Sequence, residues 1–447
     1  MQTVVAQLER RFQLRQHHTT VGRELLGGVT TFLTLSYILF VQPGVLEQAG
    51  MNFQAVMVAT CLASAAATIL MGLAANYPIA LAPGMGENFF FVYTLCGVYK
   101  LTWQQALAAT FLAGVAFMIL ARFGLRSRIV NAIPASLKTG IAAGIGLFIT
   151  LIGMQYGRLV VAHPATLVQL GDLRSPVALT TLAGLLLTLV LTALKVRGAI
   201  LLGILGSTAV AAALGLVRYT GVWAAPAGLE LTFWKMDFSG LLSVNPATAG
   251  VAVFLLLFLA LFDTVGTLVG VGRQAGLLQN GQLPRAERAL FADATGTVAG
   301  AALGTSTVTC YIESAAGVAD GARTGLANLV TGALLLMSAW FAPLARMIGG
   351  GVLVEGGVAY PTLAPALILV GAMIMRSVRD LDWDDPTEAA PAFLTMILIP
   401  FSFSIAAGVA AGFVIYAAVK LLTGRWRQCP ALVYAFGLLY VLQYVVR

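Results

Sequence analysis

The run Gly304-Thr-Ser-Thr-Val-Thr-Cys-Tyr-Ile-Glu-Ser-Ala-Ala-Gly317 decides how this chain folds. A membrane-spanning helix needs about 20 apolar residues, and this run is shorter. It opens on Thr305, Ser306, Thr307, Val308 and Thr309, a β-branched polar series that disfavours helix. The residues predict an extended stretch followed by a half-helix with Glu313 near its start. An earlier run, Pro78-Ile-Ala-Leu-Ala-Pro-Gly-Met-Gly-Glu-Asn-Phe-Phe-Phe91, has the same character. Two prolines and two glycines interrupt its backbone, and Asn88 is placed to cap a new helix. Broken backbone cannot face lipid, so both stretches must be buried in protein or line a cavity.

The rest of the chain is membrane material. Of its 447 residues 59% are hydrophobic and only 10% charged, where soluble domains carry roughly a quarter charged residues. The fold class is therefore an all-α polytopic membrane protein. Its 48 glycines suit close helix approach in lipid, where small residues set how near two helices come. Cys61, Cys96, Cys310 and Cys429 show neither metal nor disulfide spacing and read as reduced and structural. The first 22 residues are polar and basic, so the first apolar segment is expected to act as its own insertion signal. The net charge of +8 does not point to nucleic acid, because the basic residues fall in short loops between apolar runs.

Apolar runs lie at about 23–43, 54–75, 81–97, 103–122, 135–155, 177–195, 199–217, 247–271, 288–303, 306–320, 325–342, 363–377, 389–401 and 403–422, giving fourteen transmembrane segments. Alternate loops then separate by charge. Arg10, Arg11, Arg15, Arg23, Arg122, Arg126, Arg128, Lys138, Lys195, Arg197, Arg273 and most later basic residues share one side. The other holds only Lys100, Arg158, Arg174, Arg218, Lys235 and Arg346. The positive-inside rule places both termini in the cytoplasm, in an inner (plasma) membrane. A further apolar run, 430–446, stands outside this count as either a surface-lying helix or another span.

The two interrupted segments, third and tenth, correspond in position. Each follows a small-residue helix, Ala63–Ala75 or Ala292–Leu303, and each carries an acid, Glu87 or Glu313. Seven segments separate them. An odd number of spans per repeat inverts the second half, so the architecture expected is a 7+7 inverted repeat whose broken segments meet near the midplane, as in transporters.

The eighth segment completes a candidate site. In Leu261-Phe-Asp-Thr-Val-Gly-Thr-Leu-Val-Gly270, positions 263, 266, 267 and 270 form one polar, small-residue stripe at helical spacing. Ionisable groups at membrane depth are costly and are by default functional, which singles out Asp263 and Glu313. The bland reading is that each merely hydrogen-bonds backbone freed by a break. Glu87 reads as a ligand, a proton site or a charge at a loop edge, and Asp293 as a group capping or pairing within the bundle. Phe89, Phe90 and Phe91 read as core or lipid contacts, or as a ring at a half-helix start stacking on a planar ligand.

These residues resemble a family. The runs Asn76-Tyr-Pro-Ile-Ala-Leu-Ala-Pro-Gly-Met-Gly86, Leu261-Phe-Asp-Thr-Val-Gly-Thr-Leu-Val-Gly-Val271, Leu283-Pro-Arg-Ala, Gly304 to Gly317 and Asp382-Trp-Asp-Asp are similar to those of the AzgA-like purine permeases of the nucleobase cation symporter 2 group. The resemblance spans Thr31 to Trp426. It implies UraA-like core and gate domains: a cytoplasmic N-terminus (1–22), core in two parts (23–122 and 247–342), gate in two parts (123–217 and 343–429), an extracytoplasmic loop (218–246) and a C-terminal apolar helix (430–447). It implies proton symport of a purine nucleobase by elevator-like movement of core against gate, with homodimers through the gate domains known among relatives. Carried over by position, Asp263 and Glu313 hold the base, and Thr267 stands where uracil-type relatives have histidine. Glu87, Asn88, Phe89 and Thr309 complete the expected substrate-binding set. Where the family usually has an apolar residue followed by Asn-Ala-Phe-Phe, this chain has Glu87-Asn88-Phe89-Phe90.

The chemistry agrees with that implication. A purine presents several N–H donors in one plane, and a carboxylate accepts two at once in short charge-assisted bonds. Half-helix N-termini add positive dipole ends for the acceptor atoms of the base. A carboxylate that loses and regains water between two states binds a proton in one and releases it in the other. Asp263 is the stronger candidate for that coupling and Glu313 for the base, with the roles exchangeable because neighbouring acids titrate together. No cofactor beyond the coupled proton, and no metal, is expected. An enzyme is disfavoured, since His17, His18 and His163 fall in presumed loops and no nucleophile elbow or metal spacing occurs. The alternative is a transporter of anions or other small solutes with the same fold, against which the fixed negative charge of the acids argues.

Overall fold

The computed structural model describes residues 2–122, 133–217, 219–278, 282–355 and 357–445. Arg126, Arg128 and Arg218, counted above among the loop charges, lie outside the described residues. The chain begins with α1 (Gln2–Phe12), α2 (Val21–Leu35), α3 (Ile38–Glu47) and α4 (Phe53–Ala74). Strand β1 (Leu81–Pro83) leads into α5 (Met85–Phe89), a π-helix (Phe90–Val98) and α6 (Trp103–Arg122). Next come α7 (Ala135–Tyr156), the hairpin β2 (Val160–His163) and β3 (Leu167–Leu170), α8 (Pro176–Ala193), α9 (Ala199–Ala213) and α10 (Phe238–Ser243). The second half holds α11 (Pro246–Gln274), α12 (Ala286–Leu303), β4 (Val308–Cys310), α13 (Ser314–Ala319), α14 (Gly325–Ser338) and α15 (Ala342–Gly349). It ends with the hairpin β5 (Val352–Val354) and β6 (Gly357–Ala359), then α16 (Ala364–Ile374), α17 (Pro386–Ser402), α18 (Ile405–Leu422) and α19 (Ala431–Val445).

Among the described residues eight stretches are long and apolar enough to cross a membrane: Val21–Glu47, Phe53–Ala74, Trp103–Arg122, Ala135–Tyr156, Pro176–Ala193, Thr248–Gln274, Gly325–Gly349 and Ile405–Leu422. The chain is thus a multi-pass, mainly helical membrane protein. Shorter helices occupy the runs read from sequence at 199–217, 363–377 and 389–401. The extended stretches expected in the two broken segments are present as short strands, and three two-stranded antiparallel ladders occur among the described residues. One pairs the two broken segments. The other two are small hairpins, β2–β3 and β5–β6, whose valine-rich strands are too short to carry a sequence signal of their own.

Helix contacts fall into two groups. In one, α4 lies against α3, α12 and α14, while α6 packs on α11 and α12, and α2 on α13 and α14. In the other, α7 is flanked by α16, α17 and α18, α9 pairs with α8, and α19 rests on α18. Within each group, paired glycines bring helices to backbone contact: a Cβ at Gly325 would overlap the Gly72 carbonyl oxygen, and one at Gly371 would overlap that of Gly146. Small residues at such crossings replace the hydrophobic drive that lipid cannot provide. A buried apolar cluster spans both groups, from Leu35 and Phe91 to Phe148, Ile399 and Phe413. They are also joined by an ion pair between Arg197 and Asp320, 2.6 Å apart, with Asp320 also accepting the Thr30 hydroxyl at 2.6 Å.

Candidate functional site

The site is organised by the β1–β4 ladder, in which Leu81, Ala82 and Pro83 stand opposite Cys310, Thr309 and Val308. Several backbone groups freed by the two breaks are engaged by buried polar side chains. The Thr68 hydroxyl contacts both the Leu81 oxygen and nitrogen at 3.0 and 2.9 Å. Asn328 donates to the Ile79 carbonyl at 2.7 Å, Thr297 to the Val308 carbonyl at 2.8 Å, and the Ala80 N–H reaches the Ser314 hydroxyl at 3.0 Å. Gln42 donates to Thr305 and Ser306 at 2.9 and 3.0 Å. Irregular backbone at membrane depth is tolerated on just these terms.

Beside the ladder lies a cavity of about 170 Å³ between the two helix groups. One wall comes from the first group: Tyr37 of the α2–α3 junction, Met85 and Glu87 of α5, Phe262, Asp263 and Thr267 of α11, and Tyr311 and Glu313 next to α13. The facing wall is apolar and comes from the second group, with Ile141, Ala142 and Ile145 of α7 and Val370 and Ile374 of α16. Among the described residues, none that lines it is basic.

Four of the residues expected to bind substrate line this space: Asp263, Glu313, Thr267 and Glu87. Asp263 is exposed to the cavity, and it accepts the Thr309 hydroxyl at 3.2 Å. Thr309 itself is fully buried behind it. Glu313 accepts the Tyr37 hydroxyl at 2.7 Å. Glu87 is 2% exposed and one of its oxygens, Oε1, has no hydrogen-bond partner. Asp263 is close enough to Glu87, Glu313 and Asp293 for their charges to interact. Asp293 lies outside the lining and accepts the Thr264 hydroxyl at 2.9 Å.

Two expected residues are displaced. Asn88 does not cap a helix, because Gly84 takes that position with extended backbone (φ −69°, ψ 135°) and its N–H bonds the Thr307 carbonyl at 3.0 Å. The helix therefore starts four residues early, and Asn88 is buried within it, accepting the Ser306 hydroxyl. Phe89 also lies off the cavity, stacked on Tyr93 (6.1 Å between centroids, 15°) and edge-on to Phe148. Conversely, Tyr37, Tyr311, Phe262 and Met85 line the cavity without having been singled out. The one available signal was the density of hydroxyl residues around Tyr37, from Thr30, Thr31 and Thr34 to Ser36, in an otherwise apolar segment.

The cavity has two unlike ends. Along α11, Asp263, Gly266, Gly270 and Gln274 form an exposed face, and side chains added at either glycine would meet open space. Beyond Glu87, following the same half-helix, Phe89, Tyr93, Phe148 and Phe403 make an aromatic cluster across the two helix groups. Tyr93 adds hydrogen bonds to Gln48 at 2.9 Å and to Tyr156 at 3.3 Å.

A model described as Permease family matches residues 22–414. The chain is 41% identical over 439 residues to the adenine permease AdeP of Escherichia coli, covering 98% of this chain and 96% of that one. It is 40% identical over 444 residues to the guanine/hypoxanthine permease PbuO of Bacillus subtilis, covering 97% of this chain and 99% of that one. Among solved structures, the transmembrane domain of the cyanobacterium bicarbonate transporter BicA superposes with a TM-score of 0.65 at 15% identity, over 87% of this chain and 96% of that one. That likeness concerns the fold alone.

Proposed function

Because this chain belongs to the permease family matched over residues 22–414, and is a transporter rather than an enzyme, we propose that it imports purine nucleobases by proton symport. The observation that carries the reading is the shared cavity of Asp263 and Glu313, two carboxylates with hydroxyl donors on one side and free faces on the other. Such a pair accepts from the N–H edge of a purine, with Thr267 beside it and the Phe262 and Tyr311 rings available to a planar base. The names of AdeP and PbuO point the same way.

The first helix group corresponds to a core of segments 1–4 and 8–11, the second to a gate of segments 5–7 and 12–14, in a 7+7 inverted repeat of fourteen segments. Every polar lining group belongs to the core and the gate offers an apolar face, which suits a core that slides with its substrate past a featureless wall. In this arrangement the exposed Gly266–Gly270 face of α11 lies towards the cytoplasm, where the arginine-rich loops and both termini of an inner-membrane protein sit, while the Tyr93 cluster closes the outer side. Asp263 carries the coupled proton and Glu313 orients the base. A homodimer through the gate completes the proposed assembly. The anion alternative rests on the fold shared with BicA, and a cavity lined by three acids and no base opposes it.

The test is uptake of labelled adenine, guanine, hypoxanthine and uracil into proteoliposomes with and without an inward proton gradient. Concentrative purine uptake that requires the gradient, and that collapses in Glu313→Gln and Asp263→Asn, is the expected result. Gradient-independent flux, or normal transport by both variants, overturns it.

A further inference from the structure

Among the described residues, Glu87 is the one acid of the cavity to which no side chain donates a hydrogen bond. Asp263 has the Thr309 hydroxyl and Glu313 the Tyr37 hydroxyl, whereas Glu87 Oε1 is buried and unpartnered. The elements around it present acids, phenols and apolar groups. Helix α11 presents Asp263, α12 presents Asp293, and the stretch after β4 presents Tyr311 and Glu313. Tyr37 stands at the head of α3, and α7 contributes Ile141, Ala142 and Ile145. None is a cation. A carboxylate buried beside other carboxylates, with no counter-charge and one bare oxygen, is unfavourable as an anion and is relieved by gaining a proton, which turns that oxygen into a donor.

We propose that Glu87 is a second proton-carrying group, so that coupling runs through a Glu87 and Asp263 pair rather than through Asp263 alone. The proposal rests on the purine-symport reading and assigns part of its proton inventory. The step is a simple transfer. On the outer side an O–H bond of hydronium breaks as an O–H bond forms at Glu87 Oε1, leaving water; on the inner side the bond at Glu87 breaks and water takes the proton. The neutral carboxyl removes one of the three negative charges around the base, which permits the core to move with Asp263 still able to accept from the purine.

The experiment counts protons per purine in proteoliposomes with an internal pH indicator and the membrane potential clamped, comparing wild type with Glu87→Gln. The expected result is a lower proton-to-purine ratio in Glu87→Gln. Under a gradient of one pH unit, loss of one coupled proton lowers the steady accumulation of purine about tenfold. An unchanged ratio overturns the proposal while leaving symport intact. A wild type that moves no protons with purine overturns the symport reading itself, and the two failures are thereby distinct. If Glu87→Gln is not recovered folded, Glu87→Asp decides: a protonated-carboxyl infrared band in wild type that shifts in Glu87→Asp upholds the assignment, and a band that does not shift, or no band, overturns it.

Discussion

The Tyr37 hydroxyl donates to Glu313 Oε1 at 2.7 Å, so the acid expected to orient the base is itself held by a ring from the far end of the sequence. A hydrogen bond to a charged group contributes about 1.5–3 kcal/mol, and 1.4 kcal/mol is tenfold in an equilibrium. Tyr37→Phe is expected to weaken purine half-saturation by about tenfold or more, with the protein still reaching the membrane. Uptake kinetics that match wild type would show that Glu313 is oriented by other means.

Thr309 serves Asp263 more weakly, at 3.2 Å. Thr309→Val keeps shape and removes the donor, and a loss of about 1 kcal/mol predicts roughly a fivefold fall in transport efficiency. Thr309→Ser, which retains the hydroxyl, restores most of it. Equal behaviour of the valine and serine variants in the same assay would rule out the hydrogen bond as the cause.

The Arg197–Asp320 pair links the two helix groups at 2.6 Å, with the arginine side chain 61% exposed and the aspartate side chain 7%. The exposed arginine keeps the pair partly screened, and a contribution of about 1 kcal/mol means that Arg197→Ala is expected to change the maximal uptake rate about fivefold. Half-saturation stays as in wild type, because neither residue lines the cavity. Raising ionic strength reproduces the effect in wild type through screening. A shifted half-saturation would place the pair in binding rather than in movement.

Asp385 caps α17, accepting the Thr387 N–H and hydroxyl at 2.9 and 2.8 Å. The Thr387 backbone donor, chiefly, holds its carboxyl below the ordinary aspartate range. A depressed folded value means that the charged form contributes stability above the unfolded value, near 3.9. That contribution is lost as pH falls through the folded value. Asparagine is an equally good cap without charge. The gap in melting temperature between wild type and Asp385→Asn is therefore expected to be widest near neutrality and to narrow in acid; a gap independent of pH would contradict the argument.

The parts of the site legible in sequence were those fixed by composition. Asp263, Glu87 and Glu313 stand out because charge is rare in this chain, and the two breaks stand out because proline, glycine and β-branched residues oppose helix. The failures were matters of phase. Asn88 is of a residue type that fits a cap, but Gly84 begins the helix earlier, bonding across to Thr307. Phe89 was turned from the cavity where the backbone enters nine residues of π-helix, a register with no residue-type signature. Tyr37 was invisible for another reason: its partner lies 276 positions away, and only tertiary structure brings the two together.

The pairing of β1 with β4 bears on how the molecule is made. Leu81 is synthesised 229 residues before its partner Cys310, and at about 5–20 residues per second the interval is on the order of ten to fifty seconds. Throughout it, an extended segment lacking its ladder partner has to be kept from lipid. The first half of the protein is therefore unfinished on leaving the ribosome, and its third segment depends on shelter from the insertion machinery until the second half arrives.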